Sequence, residues 1–333
     1  MSHMKQFDVC GLGNAIVDIF VEVTDEELAT AGFERGTMRL VDFAEQRVLL
    51  DKLRARDLRL VSGGSVANSI IGQSQLGGRG AFIGCVGDDR YGLHYQEEFS
   101  QLGIDMGTGV IVGQTTGTCV CLITPDAERT MRTCLAVSSH LAEKHIDAAM
   151  IQASQWLFIE GYVFANPETG QGAIRESIRI ARENGVKIAL TCSDAFVSEV
   201  FSDVFRAALA QADLLFCNAV EACSIAKAAT AADAFTKLQV LVPSVVVTDG
   251  PNGAYLRHEG VEAHVAAFPC EPRDLTGAGD MFAGAFLYGI THGIAPAKAA
   301  RAANFLSMKV ITQVGARLHH GTKVFWEEAL AAS

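Results

Sequence analysis

The sequence predicts an α/β fold: a mainly parallel central sheet flanked by helices, with a small β-sheet lid, in one domain spanning residues 1–333. Three observations predict it. From Trp156 onward short apolar runs alternate regularly with helix-length segments, the rhythm of right-handed crossovers in a parallel sheet. Between Val110 and Leu135 that rhythm gives way to two alternating runs, 118–124 and 129–135, around Pro125-Asp126-Ala127-Glu128, which is a hairpin signal. Finally, 333 residues at 49% hydrophobic composition can bury a large core, and no linker, repeat or low-complexity run divides it.

Composition excludes several classes. A net charge of −11 argues against nucleic-acid binding through clustered Lys and Arg. No apolar run reaches the ~18 residues of a membrane helix, and no basic leader precedes an apolar core. The nine cysteines include no Cys-x-x-Cys pair, so neither a disulfide framework nor a zinc site is signalled. A reducing, cytoplasmic setting follows, with neither nucleic acid nor membrane as partner. Ser2-His3-Met4 reads as a cloning scar.

The chain opens with a strand at 7–10 running into Gly11-Leu12-Gly13-Asn14-Ala15. Ile16 occupies the third glycine position of the dinucleotide fingerprint, and 16–23 continues as a strand, so that reading fails. Asn14 and Asp18 remain, as ligand contacts or as turn residues. A strand at 36–41 and an exposed helix at 43–56 follow. The early strands join the hairpin, giving a lid from segments of about 14–42 and 109–136.

Ser62-Gly63-Gly64-Ser65-Val66-Ala67-Asn68 then leads into a helix ending at Leu76-Gly77-Gly78, with a strand at 81–84 beyond. A double glycine at a helix start lets a ligand lie against bare backbone, and Asn68 can donate and accept toward hydroxyls; the plainer reading is a capped helix. In the second half, strands at 156–159, 186–191, 214–217 and 245–248 alternate with helices at 168–184, 198–211, 219–228 and 231–238. Glu160, Ser193-Asp194, Asn218 with Glu221, and Thr248-Asp249-Gly250 all fall just past strand ends, where such sheets bind ligands. A hairpin at 254–258 and 261–266 precedes two helices, 280–291 and 295–312.

Asp274-Leu275-Thr276-Gly277-Ala278-Gly279-Asp280 stands directly before an apolar, helix-like run. Free amides at a helix start and bare glycines make 277–279 an anion cradle, with Asp280 beside it as a candidate base. A turn with Asp280 as N-cap is the plain alternative. No P-loop, zincin, α/β-hydrolase or protein-kinase motif is present, and His319-His320 reads as a surface pair.

Together, the Gly63-Gly64 to Asn68 region through Gly87-Asp88-Asp89 and the 274–280 stretch resemble the ribokinase-like (PfkB) family of carbohydrate and nucleoside kinases, nearest to its bacterial adenosine kinase-like members, over nearly the whole chain. Leu275 replaces a Thr of the family's D-T-T-G-A-G-D. The resemblance implies Asp280 as catalytic base, with Gly277, Ala278 and Gly279 as anion hole. Asn218 and Glu221 match an N-x-x-E motif that organises Mg²⁺ through water. Thr248, Gly250 and Gly253 match the ATP loop and Asn304 the adenine pocket. Asp274 and Thr276, with backbone near Gly315, match a monovalent-cation site, K⁺ being the candidate ion. Asn14, Asp18, Gly64, Asn68 and Glu160 match acceptor contacts. For Arg129 and Arg132 two readings stand, reaching into the site or facing solvent, and Phe20, Met38 and Met131 are candidates to clamp a base. The implied activity is ATP-dependent phosphorylation of a hydroxymethyl group on a nucleoside, adenosine first, by a monomer or homodimer; a PfkB sugar kinase acting on ribose or fructose and a catalytically silent binding regulator are the alternatives, with a dehydrogenase a distant third.

Overall fold

The computed structural model describes residues 5–331 except 108 and 127. The expected scar residues and Ala127 of the expected hairpin turn lie outside the described residues. In chain order the strands are β1 (Phe7–Leu12), β2 (Ile16–Glu22), β3 (Met38–Leu40), β4 (Arg59–Gly63), β5 (Gly80–Ile83), β6 (Asp105–Met106), β7 (Gly117–Ile123), β8 (Arg129–Cys134), β9 (Ser154–Ile159), β10 (Lys187–Thr191), β11 (Leu214–Asn218), β12 (Ser244–Thr248), β13 (Ala254–His258) and β14 (Val261–Val265). Nine form one sheet in the order β14-β13-β12-β11-β10-β9-β1-β5-β6, and five form a second, β3-β8-β7-β2-β4. The large sheet is parallel from β12 through β6 and antiparallel only at β13 and β14.

Period-two alternation explains why its strands are almost wholly apolar: each must fill two cores. In β9, Trp156 and Phe158 face one apolar cluster while Leu157 and Ile159 face the other; β11 divides Leu214 and Phe216 from Leu215 and Cys217 in the same way. The helices Ser65–Gln75, Ala278–Thr291 and Pro296–Ile311 cover the first face, and Gly170–Glu183 lies on the second. Gly11 belongs to this packing, not to a phosphate turn: a Cβ there would meet Val66 and Ile70 at 2.8 Å.

Two connections between the sheets run side by side. The chain leaves the large sheet after β1 through residues 13–15 and returns from β4 through Gly64 into the Ser65–Gln75 helix. These crossings touch: Gly64 has φ 107, and a Cβ there would lie 2.0 Å from the Asn14 carbonyl oxygen, so only glycine fits.

Several boundaries differ from expectation. Strand β4 was not anticipated; it pairs antiparallel with β2 and puts Gly63 opposite Ile16. The run expected as one helix at 198–211 is two, Ala195–Val200 and Ser202–Leu209, because Phe201 leaves the helical region (ψ 30) and sets its ring edge-on to Phe196. The helices Asp25–Thr30 and Thr322–Ala331 are additional. Among the described residues no helix is long and apolar enough to cross a membrane.

Candidate active site

Asp280 lies within the first turn of the Ala278–Thr291 helix, and the capping position belongs to Gly277. Gly277 is left-handed (φ 80), and a Cβ there would come within 2.1 Å of the Ala316 carbonyl oxygen. The Met281 amide bonds the Gly277 carbonyl (2.9 Å) and the Ala278 amide makes a longer bond to the Leu275 carbonyl (3.4 Å); the amides of this first turn lie at the positive end of the helix. Gly279 has open space where a side chain would stand, so an anion can approach the backbone there.

Both oxygens of Asp280 are held from the Ser65–Gln75 helix. Ser65 Oγ donates to one (2.7 Å) and Asn68 Nδ2 to the other (3.1 Å). Burial pushes the carboxyl pKa up to about 6 while these two bonds draw it down. The helices reach this distance because Gly284 is bare: a Cβ there would lie 2.2 Å from the Ser69 carbonyl oxygen. Asn68 Oδ1, buried, has no protein partner, an acceptor left over for a ligand hydroxyl.

Beside Asp280 a cavity of about 170 Å³ is lined by Ser65, Ser193, Asn218, Glu221, Thr248 and Gly279, among others. One face of the small sheet gathers Asp18, Phe20, Cys119, Cys121 and Met131, with Asp18 close enough to Asp280 for their charges to interact. Burial raises the Asp18 pKa to about 7, opposed by Arg317 and Arg129 and reinforced by Asp280.

A sequence profile described as "pfkB family carbohydrate kinase" matches residues 36–321. The chain belongs to this family. It is 27% identical over 304 residues to the adenosine kinase of Saccharomyces cerevisiae, covering 85% of this chain and 88% of that one. The adenosine kinase of Sinorhizobium meliloti superposes with TM-score 0.86 at 29% identity, over 97% of this chain and 99% of the other. A probable sugar kinase from Rhizobium etli does so equally, TM-score 0.86 and 29% identity over 98% and 99%. The protein is thus an ATP-dependent sugar or nucleoside kinase with the ribokinase-like fold.

Within the PfkB kinase, Asn218 and Glu221 form a complete capping box: Asn218 Oδ1 accepts from the Glu221 amide (2.9 Å), and Glu221 accepts from the Asn218 amide (3.0 Å) and from Nδ2 (2.6 Å). The box fixes a carboxylate in the cavity wall. Burial raises the Glu221 pKa to about 7 despite the Asn218 bonds, and Asp194 and Asp280 add to the rise. A wall of carboxylates that oppose one another's ionisation is a lining that suits a divalent cation such as the Mg²⁺ that accompanies ATP. Gly253 and Asn304 converge on the same stretch of backbone: a Cβ on Gly253 would meet the Val265 carbonyl oxygen at 2.1 Å, and Asn304 Nδ2 donates to the carbonyls of Val265 (3.3 Å) and Ala266 (3.1 Å). Gly250 precedes them at φ 50.

The expected cation pair looks different. Asp274 accepts from the Thr276 amide (3.1 Å) and the Gly315 amide (2.7 Å), and Arg129 Nη2 lies 2.7 Å from its second oxygen. A carboxylate already serving two N–H groups and a guanidinium does not fit as a ligand for K⁺, which needs oxygen donors free of competing cations. The Leu275 side chain is exposed, and its carbonyl accepts from the Ala278 amide (3.4 Å).

Asn14 and Glu160, expected as acceptor contacts, have their polar atoms committed to each other. Asn14 Nδ2 donates to Glu160 (2.7 Å), whose other oxygen takes the amides of Asn14 (3.3 Å) and Val66 (3.2 Å), while Ser138 Oγ donates to Asn14 Oδ1 (2.9 Å). Gly13 makes room, since a Cβ there would lie 2.4 Å from Glu160 Oε2. Burial raises Glu160 to about 7. This knot ties the crossing from β1 to the crossing from β4.

Arg132 is buried away from the site, with Nη1 donating to the Thr37 and Met131 carbonyls and its guanidinium over Phe33. Met38 is exposed beside Met131. Two site residues were missing from the expected set: Ser65, visible only as part of the glycine motif, and Arg317, which pairs with Glu98 (3.0 Å) near Asp18 and carries no local signal.

Proposed function

We propose that the kinase transfers the γ-phosphoryl group of ATP to the hydroxymethyl oxygen of a nucleoside, adenosine being the first choice. Asp280 accepts the hydroxyl proton as that oxygen attacks. The amides of Gly277, Ala278 and Gly279 carry charge developing on the transferred group; such donors are worth roughly 10²–10³ in rate, and a placed base roughly 10²–10⁴. Mg²⁺, held through Glu221 and its waters, would supply positive charge to the phosphates. Thr248, Gly250, Gly253 and Asn304 border the ATP side; Asp18, Gly64 and Asn68 border the acceptor side, with Asn14 and Glu160 holding them in place. The small sheet serves as a lid that excludes water. A cytoplasmic monomer or homodimer completes this reading, and on the donor set of Asp274 the enzyme works without K⁺.

The observation that carries the nucleoside choice is the apolar face made by Phe20, Ile16, Cys119, Cys121 and Met131, with the Asp18 carboxyl beside it and the guanidinium groups of Arg59 and Arg129 over the Phe20 ring. A furanose offers hydroxyls to Asp18 and Asn68, whereas only a base offers a flat apolar partner for that face. A coupled assay with adenosine, ribose and fructose tests it. Turnover of adenosine at the highest kcat/KM supports the reading; turnover of the sugars alone establishes the sugar kinase alternative, and binding without turnover the silent regulator.

A further inference from the structure

The proposed reaction uses the Asp18 carboxylate, but it uses the two sulfurs beside it only as apolar surface. Cys119 and Cys121 are buried on the small-sheet face, two residues apart on β7 and therefore on the same side of the sheet. Parallel pairing sets Asp18 of β2 directly alongside Cys119. One carboxylate oxygen and both sulfurs lie within 4.8 Å of one another, and the sulfurs are 3.8 Å apart. A tetrahedral ion with metal–sulfur bonds of about 2.3 Å places its two sulfurs about 3.8 Å apart. The thiols are thus spaced for one ion before any ion arrives. Thr133 Oγ1, on the neighbouring β8, donates to Cys119 Sγ at 3.2 Å, a contact of the kind that orients a metal-ligating sulfur.

We propose that Asp18, Cys119 and Cys121 form an inhibitory site for a thiophilic divalent cation of the Zn²⁺ or Cd²⁺ class, inside the acceptor pocket. Two sulfurs and one oxygen leave the fourth tetrahedral position facing the cleft. Hard Mg²⁺ avoids the site because it takes oxygen ligands and keeps its waters, so the ion that serves ATP does not compete for it. Binding is a simple exchange: both thiols lose their protons to the buffer, two metal–sulfur bonds and one metal–oxygen bond form, and nothing is oxidised. An ion seated on Asp18 removes that carboxylate from the acceptor, and inhibition is competitive with it. Only this last step rests on the acceptor reading above.

Cadmium chloride titrated into the whole chain in magnesium buffer is the test. The expected result is a thiolate-to-cadmium absorption that saturates at one ion per chain, is lost in both Cys119→Ser and Cys121→Ser, weakens about tenfold in Thr133→Val, and is displaced by zinc. Absorption that persists in the doubly substituted chain, or none in the wild type, overturns the proposal. Should the serine variants unfold, proton release by the wild type at pH 8 decides: two protons per ion are expected, and fewer contradict the site. Zinc inhibition relieved by adenosine supports the placement in the acceptor pocket. A saturable ion whose inhibition adenosine leaves unchanged overturns the placement and the nucleoside reading while the metal site stands.

Discussion

Arg129 of the small sheet and Asp274 of the loop before the Ala278–Thr291 helix form an ion pair at 2.7 Å, with side-chain exposures of 11% and 9%. The two residues come from different sheets and from distant parts of the chain. Breaking such a pair strands a carboxylate, at a cost of about 3 kcal/mol. Arg129→Met is therefore expected to lower thermal stability and kcat together, and to respond to added K⁺, while the wild type is indifferent when K⁺ is replaced by tetramethylammonium. Activation of the wild type by K⁺ would show that the guanidinium yields the site to the ion.

Ser65 tunes the Asp280 carboxyl. Its bond to Asp280 lowers a pKa that burial has raised to about 6. The acidic limb of kcat/KM is expected near pH 6, activity being lost as pH falls through that value. Ser65→Ala removes a bond to the ionised form, so Asp280 holds its proton more tightly and the limb moves to higher pH. A limb that stays put in this variant, measured over pH 5 to 8, means another group sets the profile.

Four carboxyls of the site, Asp18, Glu160, Glu221 and Asp280, have folded pKa values raised to about 6 or 7. A group with a raised folded pKa contributes stability below its unfolded value and loses it as pH climbs through the folded one. The ligand-free protein is expected to lose stability between about pH 4 and 7, the interval from the unfolded to the folded values, by an amount on the order of a few kcal/mol, and Mg²⁺ with nucleotide should recover part of it. Urea midpoints at each pH measure this; midpoints that rise across the interval contradict the electrostatics of the cleft.

Gly284 sets the distance between the two helices that share Asp280. Gly284→Ala forces the Ser65–Gln75 helix outward, and overpacking of this kind costs about 1–3 kcal/mol. The account predicts a lower melting temperature and a drop in kcat larger than any rise in KM, since the base moves relative to Ser65 and Asn68. Equal kcat with reduced stability would separate the packing from the chemistry.

The large sheet was legible because burial on both faces demands unbroken apolar runs, as at Val245, Val246 and Val247. Strand β4 was not, because its sequence, Arg-Leu-Val-Ser-Gly, lacks clear alternation and its pairing with β2 is set by tertiary contact. Helix starts were off by small margins where glycine did the capping: Gly277 emits no side-chain signal, so the helix seemed to begin at Asp280. In the site, residues at strand ends could be read from position alone, whereas their partners could not. Nothing local announces that Glu160 spends its oxygens on Asn14 and Val66, or that Arg129 and not Arg132 reaches Asp274. Those choices depend on which face of β8 each side chain occupies, and the register of a short strand is fixed only by its neighbours.

The central claim is that Asp280 acts as the base. Asp280→Asn keeps the shape and can still bond Ser65 and Asn68 through its amide, so the comparison isolates the proton acceptor. Measured side by side with the wild type, kcat for adenosine is expected to fall roughly 10²–10⁴-fold while calorimetric affinities for adenosine and ATP stay within a few-fold. Unchanged kcat in this variant would contradict the account.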